Sequence, residues 1–561
     1  MAGSAPPTQC DVVVIGAGMG GLTSAALLAK AGLDVCVVEA EAHPGGYLAG
    51  FRRKKFLFDT AVHWLNHCGP GGLVRRVFDL LGPGSPETPQ LERIRRYKGE
   101  GFDYLLTTEP DLMRDALIRD FPAEEQGIRA FFAEAKVLSR SLIQLRTRMR
   151  AIEVMSLFEK SRHGLDMLRV SWRFIRYSGW SVEEGLDRYF APDGARRVFQ
   201  ADEDFAACLV PIACAYADDY QVPPTGGGPE LPRWLCQVLA AWDVPVVYQC
   251  RVQEVLLEGK RAVGVRVAWG KAEHEIRSKY VVAACDLEAL YERMLPPGTV
   301  GEDRLAALRD ADLYDSSVTI SLGLDTDPRA LGFGEEMLSL IDEGRTRDEN
   351  RSGDPRLAAI TILAPSVRDP SLAPPGKGTL MIYVKANIAF GERWRTGPDY
   401  ERGEAYRAFK EEYTQAVLER VEAACAPGLR QHIEVCDTAT PVSHRRWTGN
   451  RDGSIMGQRP TKANIRARLA SYKTPVENLL LGGMWAEFGG GVPVAMRAGA
   501  NSALLILQRE KPTAFKLYCK VMDGKLDPRE LTSPALRVLP AEGDARPGPD
   551  ATATARAAPR A

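Results

Sequence analysis

The sequence lacks several features that would place it in a specialised class of protein. Its eleven cysteines are odd in number and scattered, and no two form a Cys-x-x-Cys pair, which argues against a disulfide framework or a metal centre. No stretch reaches about 18 uncharged apolar residues, and residues 1–9 lack a basic region followed by an apolar one. We therefore expect neither secretion nor a membrane span, and predict a cytoplasmic protein without a bound metal.

The sequence also lacks a large net charge of either sign. Its 72 Lys and Arg residues and 73 Asp and Glu residues leave a formal charge of -1, which gives no overall attraction to nucleic acid or anionic lipid. At 561 residues the chain is too long for one compact core. We expect two or more structural units built from interleaved segments, and no nucleic-acid partner.

What the sequence does contain, near its start, is a glycine turn between two predicted strands. Residues 11–15 are a branched apolar run typical of a buried parallel strand, residues 22–31 have helical composition, and a second strand is predicted at 33–39. The turn after the first strand is Gly16-Ala17-Gly18-Met19-Gly20-Gly21. Its glycines allow a tight turn, a close approach to a pyrophosphate and close packing of helix on strand. This predicts a Rossmann-type site with phosphates at the helix N-terminus.

An acid ends the second predicted strand. Glu39 lies 18 residues after Gly21, where a carboxylate bonds ribose hydroxyls and disfavours a 2'-phosphate, so FAD or NAD is expected rather than NADP. The pair Gly45-Gly46 and the segment Phe58-Asp59-Thr60 follow. Together these motifs resemble the FAD-containing superfamily of amine oxidases and phytoene desaturases. The resemblance implies that an acid, a Gly-Gly pair and a Phe-Asp segment line FAD.

The resemblance continues over most of the chain. Residues 223–228 are similar to a Pro-x-Gly-Gly segment of carotenoid desaturases, and Val252 lies where that family contacts adenine through its backbone. Gly482-Gly483 and residues 489–493 resemble the C-terminal segment that returns to the flavin, and a helix that begins there would direct its positive end at the reduced flavin. The predicted cofactor-binding residues are Gly16, Gly18, Gly20, Gly21, Glu39, Ala40, Gly45, Gly46, Asp59, Thr60, Val252, Gly482, Gly483, Gly490, Gly491 and Val492.

Within the superfamily, two regions are similar to one branch. Residues 58–64 resemble the Phe-Asp-Thr-Gly-x-His-Tyr of retinol saturases, and residues 440–457 contain segments shared by retinol saturases and carotenoid isomerases. The resemblance implies an FAD-dependent oxidoreductase that acts on carbon-carbon bonds of a long apolar polyene, carotenoid or retinoid-like, by desaturation, double-bond reduction or isomerisation by way of reduced flavin. A flavin amine oxidase and a non-catalytic, membrane-associated flavoprotein stay open as alternatives. The motifs leave the substrate, the direction and the electron acceptor open.

Three residues are candidates for proton transfer. Hydride transfer depends mainly on placing the substrate carbon over the flavin, but the accompanying proton needs a partner. His63 is the first candidate because histidine exchanges protons near neutral pH, with simple packing as the alternative. Glu487 and Arg497 are weaker candidates. We predict that Trp64, Trp485 and Phe488 line the substrate site, with core packing as the alternative for the last two.

A basic segment interrupts the otherwise neutral chain. Residues 136–176 contain ten Lys or Arg residues against three acids, interleaved with apolar residues from Leu142 to Phe158. A basic amphipathic segment binds anionic membrane surfaces, so a peripheral contact with the inner face of the membrane is one interpretation. The alternative is a helical lid whose apolar stripe packs on the rest of the protein.

These elements predict an α/β fold in which a Rossmann-type FAD-binding domain of discontinuous segments carries an α+β substrate domain and a helical lid. The FAD-binding segments are 1–80, 221–304 and 471–512. Residues 81–220 form the helical substrate and lid region, and residues 305–470 form the substrate domain. Residues 513–561 are a C-terminal extension, which we expect to be disordered from about residue 541 because its composition cannot form a core.

Overall fold

The structure is a computed structural model that describes residues 5–60, 63–146, 149–177, 180–200, 205–342, 344–531 and 533–539. Within these ranges the strands are β1 Gln9–Ile15, β2 Val35–Val38, β3 Phe51–Arg53, β4 Phe56–Phe58, β5 Arg93–Gly99, β6 Phe102–Thr107, β7 Val246–Val247, β8 Cys250–Glu258, β9 Arg261–Trp269, β10 Ala272–Ala283, β11 Ser316–Leu324, β12 Met337–Leu340, β13 Ile360–Leu363, β14 Gly378–Ala386, β15 Ile433–Ala439 and β16 Leu479–Leu481.

The longer helices in the described ranges are α1 Met19–Lys30, α2 Leu73–Leu81, α3 Pro110–Asp120, α4 Glu125–Arg146, α5 Leu157–Tyr177, α6 Phe205–Tyr216, α7 Glu230–Ala241, α8 Glu302–Arg309, α9 Glu404–Ala424, α10 Pro441–Thr448, α11 Val492–Glu510 and α12 Pro512–Met522. Short helical turns are found at Val182–Leu186, Leu287–Ala289, Arg347–Arg351, Pro365–Arg368 and Lys462–Arg466. Phe390–Trp394 is a turn whose central residues have left-handed dihedral angles.

The first sheet is built around the glycine turn. Its strands β7, β2, β1, β10 and β16 are parallel neighbours in that order, and β9 and β8 extend it antiparallel beside the first half of β10. All of β2 and most of β1 are buried, as expected for parallel strands covered on both faces. The predicted Rossmann-type unit is confirmed, and its strands come from the start, the middle and the end of the chain.

Helices α1 and α11 join the two ends of the chain on this sheet. A Cβ added to Gly499 would lie 2.0 Å from the carbonyl oxygen of Gly20, so the two helices touch through their backbones. Beside this contact, Ser502 Oγ lies 3.3 Å from Ser24 Oγ. Close crossing of small residues therefore fixes α11 relative to α1.

The second sheet has the strand order β15, β11, β14, β13, β12, β5, β6. Alternate residues of its strands point to opposite faces. On one face, side chains such as Ile320 and Ile382 pack in a core with Val417 of α9. On the other face, side chains such as Ser317 and Tyr383 line a cavity. The sheet therefore serves as the wall between a closed core and a binding space.

The hairpin β5–β6 corrects one expectation. Residues 81–220 were predicted to be helical, but β5 pairs in parallel with β12 and in antiparallel with β6. The prediction is wrong for residues 93–107 because β5 is rich in arginine and pairs with a strand more than 200 residues later, which no local pattern reveals. Helices α3 to α6 of the same region do form a separate aromatic core.

The C-terminal extension, as far as it is described, packs on helix α1 beside the first sheet. Tyr518 of α12 donates a hydrogen bond from its hydroxyl to the carbonyl oxygen of Leu27 at 3.1 Å, and the N–H of Arg537 donates to the carbonyl oxygen of Lys30 at 2.7 Å. The tail expected to be disordered from about residue 541 lies outside the described residues. No described helix is long and apolar enough to cross a membrane.

We predict that Gly499→Ala destabilises the protein. Alanine improves helix propensity by about 1 kcal/mol, but its methyl group would lie 2.0 Å from the Gly20 carbonyl oxygen and force the two backbones apart, which costs about 1–3 kcal/mol or more. Denaturant unfolding measures the net loss. Gly164→Ala in α5, where an added Cβ meets nothing within 4 Å, is the matched control and should be neutral or stabilising. Equal stability of the two variants would contradict a tight crossing.

Candidate functional site

The glycine turn lies between β1 and the N-terminus of α1. Gly16 has a φ of 101°, and a Cβ there would lie 2.9 Å from the carbonyl oxygen of Ala284, so glycine is the residue that fits without strain. Gly18 is open, because a Cβ on it meets nothing within 4 Å, and it lines a large cavity. The start of α1 is therefore accessible to a ligand, and its N–H groups suit a phosphate.

Two of the predicted glycines have a packing role. A Cβ at Gly21 would lie 2.0 Å from the carbonyl oxygen of Gly16, and a Cβ at Gly482 would lie 2.5 Å from Val282 Cγ1. Neither Gly21 nor Gly482 lines the cavity, so they set how closely the helix and the last strand approach their neighbours. Gly20 lines the cavity and is also crowded, since its Cβ would lie 2.3 Å from the Gly482 carbonyl oxygen.

Glu39 is held in place at the end of β2 by backbone hydrogen bonds. The N–H of Ala17 donates to Glu39 Oε2 at 2.7 Å, and the N–H of Glu41 donates to Oε1 at 2.9 Å. Burial raises the pKa of the Glu39 carboxyl, while these donors oppose the rise. Because a carboxylate oxygen accepts more than one hydrogen bond, Glu39 keeps acceptor positions for a ribose diol.

The start of α11 forms another wall of the same cradle. Gly491 precedes the helix with a φ of 94°, and a Cβ at Gly490 would lie 2.5 Å from the Cα of Met456. Gly490, Gly491 and Val492 line the cavity. The positive end of the α11 dipole therefore lies at the cavity wall.

The cavity joins this cradle to the second sheet. Its volume is about 1830 Å³, well above the roughly 300–1,000 Å³ typical of small-molecule pockets. Beyond the cradle it is lined by Met337 and Met381 of the sheet and by Leu142 and Val210 of helices α4 and α6. It has room for a dinucleotide and a second long ligand.

Most of the residues predicted to form the site come together in this cavity. Those that line it are Gly16, Gly18, Gly20, Glu39, Ala40, Gly45, Gly46, Thr60, His63, Trp64, Val252, Gly483, Trp485, Gly490, Gly491, Val492 and Arg497. Those that lie outside its lining are Gly21, Asp59, Gly482, Glu487 and Phe488. Residues from both ends and the middle of the chain therefore share one binding space.

The profile of the family described as flavin containing amine oxidoreductase matches residues 19–507. The chain belongs to this family. It is 25% identical to all-trans-retinol 13,14-reductase of Danio rerio over 92% of this chain and 89% of that protein. It is 24% identical to an inactive all-trans-retinol 13,14-reductase of the same species, over 95% and 90% of the two chains. It is also 24% identical to prolycopene isomerase 1 of an Oncidium hybrid cultivar, over 81% and 76%.

Solved structures share the fold of this flavin containing amine oxidoreductase. A putrescine oxidase with bound putrescine has a TM-score of 0.56 at 16% identity and covers 90% of this chain and 100% of its own. An oxidoreductase from Methanosarcina mazei has a TM-score of 0.55 at 19% identity, covering 89% and 100%. At these identities the likeness establishes the fold.

FAD is the cofactor, and the cradle fits it. The open backbone at Gly18, the N-terminus of α1 and the fixed carboxylate of Glu39 provide partners for a pyrophosphate and a ribose. The N-terminus of α11 provides a positive end for an electron-rich ring edge. The cavity also has the volume for it.

Asp59 lies behind the cavity wall. The N–H of Gly228 donates to Asp59 Oδ1 at 2.8 Å, and burial raises the pKa of this carboxyl to about 6. The neighbouring Thr60 hydroxyl donates to the carbonyl oxygen of Tyr47. Asp59 thus connects the glycine-rich segment of residues 223–228 to the end of β4, the strand that precedes His63.

Glu487 is buried in an ion pair and does not reach the cavity. Arg497 donates to Glu487 Oε2 through Nε at 2.5 Å, and the hydroxyl of Tyr472 donates to Oε1. Asn501 Nδ2 donates to the Tyr472 hydroxyl at 3.2 Å. The structure therefore gives Glu487 a supporting position behind Arg497, which does line the cavity.

His63 lies beside the second sheet. Its ring meets the edge of Tyr383 with the centroids 5.7 Å apart, and Arg368 Nη1 donates to its carbonyl oxygen at 3.0 Å. Burial, with a smaller contribution from the Arg368 charge, lowers the pKa of His63 to about 4. The imidazole is therefore uncharged near neutral pH. Its ring nitrogens offer a neutral hydrogen-bond donor and acceptor, whereas a free histidine would gain and lose a proton in this pH range.

Sequence reasoning missed a polar network around the cavity. The hydroxyl of Tyr47 donates to the carbonyl oxygen of Ser454 at 2.8 Å, and Trp485 Nε1 donates to Asn450 Oδ1 at 3.2 Å. On the cavity side of the second sheet, Ser317 Oγ lies 3.4 Å from His444 Nε2. Asn450 lies in a segment recognised by resemblance, but nothing in the local sequence marks Ser317 or Tyr383 as facing a cavity.

We predict that Glu39→Gln lowers FAD occupancy. An amide has one acceptor oxygen, so one of the N–H groups of Ala17 and Glu41 loses its partner and the ribose loses a charged acceptor, which is worth roughly 1.5–3 kcal/mol. The ratio of flavin to protein absorbance measures the occupancy. Glu258→Gln, at a site whose side chain is 73% exposed, is the control. Unchanged flavin content in Glu39→Gln would remove Glu39 from the ribose site.

Proposed function

We propose that this flavoprotein acts on carbon-carbon bonds of a long apolar polyene, by desaturation, by double-bond reduction or by isomerisation that depends on reduced flavin. The observation that carries the proposal is the continuous cavity of about 1830 Å³, which runs from the FAD cradle into a chamber walled by apolar side chains. Similarity to retinol 13,14-reductases and prolycopene isomerases along most of the chain supports the same chemistry.

The residues of the chamber support this function by placing the polyene. The FAD supplies hydride acceptance or donation when bound. We propose that Trp64, Trp485, Met337 and Met381 hold the apolar chain, because all four line the cavity and Trp64 packs against the two methionines. Tight placement of the reacting carbon accounts for a large part of such catalysis.

Saturation of a double bond adds one hydride and one proton, and desaturation removes the same pair. We propose that His63 handles the proton, with Tyr383 beside it. Both are neutral groups in the resting site, because burial lowers the pKa of His63 to about 4 and raises the pKa of Tyr383. A neutral pair suits an apolar substrate, since a buried charge would be costly.

We also propose that the protein acts at the inner face of a membrane. Five large apolar side chains of the basic segment are exposed, with Leu157 at 84% and Phe158 at 78%. The other members of this apolar patch are Ile143, Ile152 and Leu165. An apolar patch within a basic segment favours an anionic lipid surface, where a polyene dissolves.

The basic segment is divided between two roles. Leu142 lines the cavity and Met149 is buried, as a lid requires. Arg150 is also buried and pairs with Asp523 at 2.6 Å, so its charge is not available to lipid. The side chains of residues 145–148 and 167–176 lie outside those described.

An anaerobic half-reaction tests the enzymatic proposal. Oxidised protein is mixed with all-trans-retinol, a carotene or putrescine while flavin bleaching is followed, and dithionite-reduced protein is mixed with the polyenes while reoxidation is followed. We expect a response to polyenes. Bleaching by putrescine alone would favour an amine oxidase, and stoichiometric FAD without any response would favour a non-catalytic flavoprotein.

In the same assay, His63→Ala should stay yellow but react roughly 10²–10⁴-fold more slowly, the range of general acid-base catalysis. Because the pKa of His63 is about 4, its titration should not affect the rate near pH 6.5, the pKa of a free histidine. The pH–rate profiles of the wild type and of His63→Ala should therefore have the same shape in that range. His432→Ala is the control, since His432 is exposed and pairs with Asp325 away from the cavity. Full activity of His63→Ala would leave His63 a packing role.

Vesicle flotation tests the membrane proposal. Wild-type protein should float with phosphatidylserine vesicles at low salt, and Leu157→Ser with Phe158→Ser should reduce the floating fraction severalfold because the apolar patch is lost. Val538→Ser is the control, at a site that is 81% exposed elsewhere on the surface. Absence of the wild type from lipid at every salt concentration would end the proposal.

A further inference from the structure

One part of the cavity wall carries arginines that the proposed reaction does not use. Arg402, Arg445 and Arg446 line it together with Tyr400 and Trp447. These five residues are termed the arginine mouth. Trp447 is 53% exposed, so the mouth is open to solvent.

The three arginines have no acidic partner among the described residues. No described carboxylate lies within 4.0 Å of their guanidinium groups, although Asp399 and Glu401 line the same part of the cavity. Arg445 instead stacks over Tyr400, with 4.6 Å from Cζ to the ring centroid. Stacking fixes a guanidinium plane while its N–H groups stay able to bind a planar anion.

The positive charges of the mouth also act on one another. Burial and the nearby charges of Arg446 and Arg407 lower the pKa of Arg402. Like charges at this separation repel, and a bound anion would relieve that repulsion. The mouth therefore has guanidinium N–H groups that no described carboxylate pairs with, and binding an anion there would be electrostatically favourable.

The mouth lies near one end of β14, because Lys385 of that strand pairs with Ser317, whose Oγ lies 3.4 Å from Nε2 of His444, the neighbour of Arg445. Lys385, Tyr383 and Met381 alternate on the cavity face of β14, and the strand from Lys385 to Met381 spans about 13 Å. Tyr383 in turn contacts His63. A ligand held by its end at the mouth would thus lay an apolar chain past the proposed reaction centre.

We propose that the arginine mouth binds the carboxylate of a long-chain unsaturated substrate whose apolar part extends along β14 towards His63. This inference rests on the proposed function and narrows its substrate class. The guanidinium fork matches a carboxylate with two parallel hydrogen bonds. The acids Asp399 and Glu401 beside it oppose a polyphosphate and favour a singly charged group.

Ligand binding to the FAD-loaded protein tests the inference without turnover. Quenching of tryptophan fluorescence is titrated with all-trans-retinoic acid and with all-trans-retinol, which differ at the polar end. We expect the acid to bind at least about tenfold more tightly than the alcohol, and Arg402→Met or Arg445→Met to remove this preference while leaving retinol affinity unchanged. Arg466→Met, at an exposed site outside the cavity, should keep the preference.

The outcomes separate this inference from the proposed function. Equal affinities for acid and alcohol in the wild type, or a preference that survives both mouth variants, would overturn the carboxylate site even if polyenes change the flavin spectrum. Displacement of the acid by NADPH in wild type but not in Arg445→Met would assign the mouth to a dinucleotide and also overturn it. A carboxylate preference without any flavin response would keep the site and refute the reaction.

Discussion

The backbone contact between Gly20 and Gly499 determines where the site forms. Because a Cβ on Gly499 would lie 2.0 Å from the Gly20 carbonyl oxygen, α1 and α11 cross without intervening side chains. The crossing lies seven residues into α11, or about 10 Å from its start. Both helix N-termini consequently reach the same cavity, one beside the first glycine turn and the other beside Gly491. A cradle made from the two ends of the chain depends on this approach.

Local sequence predicted the parts of the fold whose hydrogen bonds and packing are local. The strand, glycine turn, helix and strand at residues 9–38 follow from an apolar run and glycine spacing, and the turn presents its backbone to the cavity. The second sheet could not be derived in this way. Its strand β5 contains four basic residues and pairs with β12, so its position depends on a partner that the local pattern does not indicate.

Side-chain roles were harder to predict than backbone roles, because they depend on which distant residues a side chain meets in the folded protein. Glu487 and Arg497 looked like independent candidates ten residues apart, yet the segment before α11 folds back so that the two form one ion pair, and only Arg497 lines the cavity. Arg150 contributes to the positive charge of the basic segment, yet it is buried against Asp523. Tyr383 lies in an apolar strand and faces the cavity because strand residues alternate between faces.

The distribution of charge along the cavity favours an apolar or anionic substrate over an amine. The cradle presents the positive ends of α1 and α11, and the mouth presents Arg402, Arg445 and Arg446. Two titratable groups of the lining, His63 and Tyr47, are held neutral, since burial lowers the pKa of His63 to about 4 and raises the pKa of Tyr47 to about 12. A protonated amine would meet the positive helix ends and the three arginines, and neither His63 nor Tyr47 carries a charge that would stabilise it. An uncharged chain loses little solvation energy on entering such a space, and a terminal carboxylate gains ionic hydrogen bonds at the mouth. Similarity of fold to amine oxidases therefore does not imply that this protein shares their substrate.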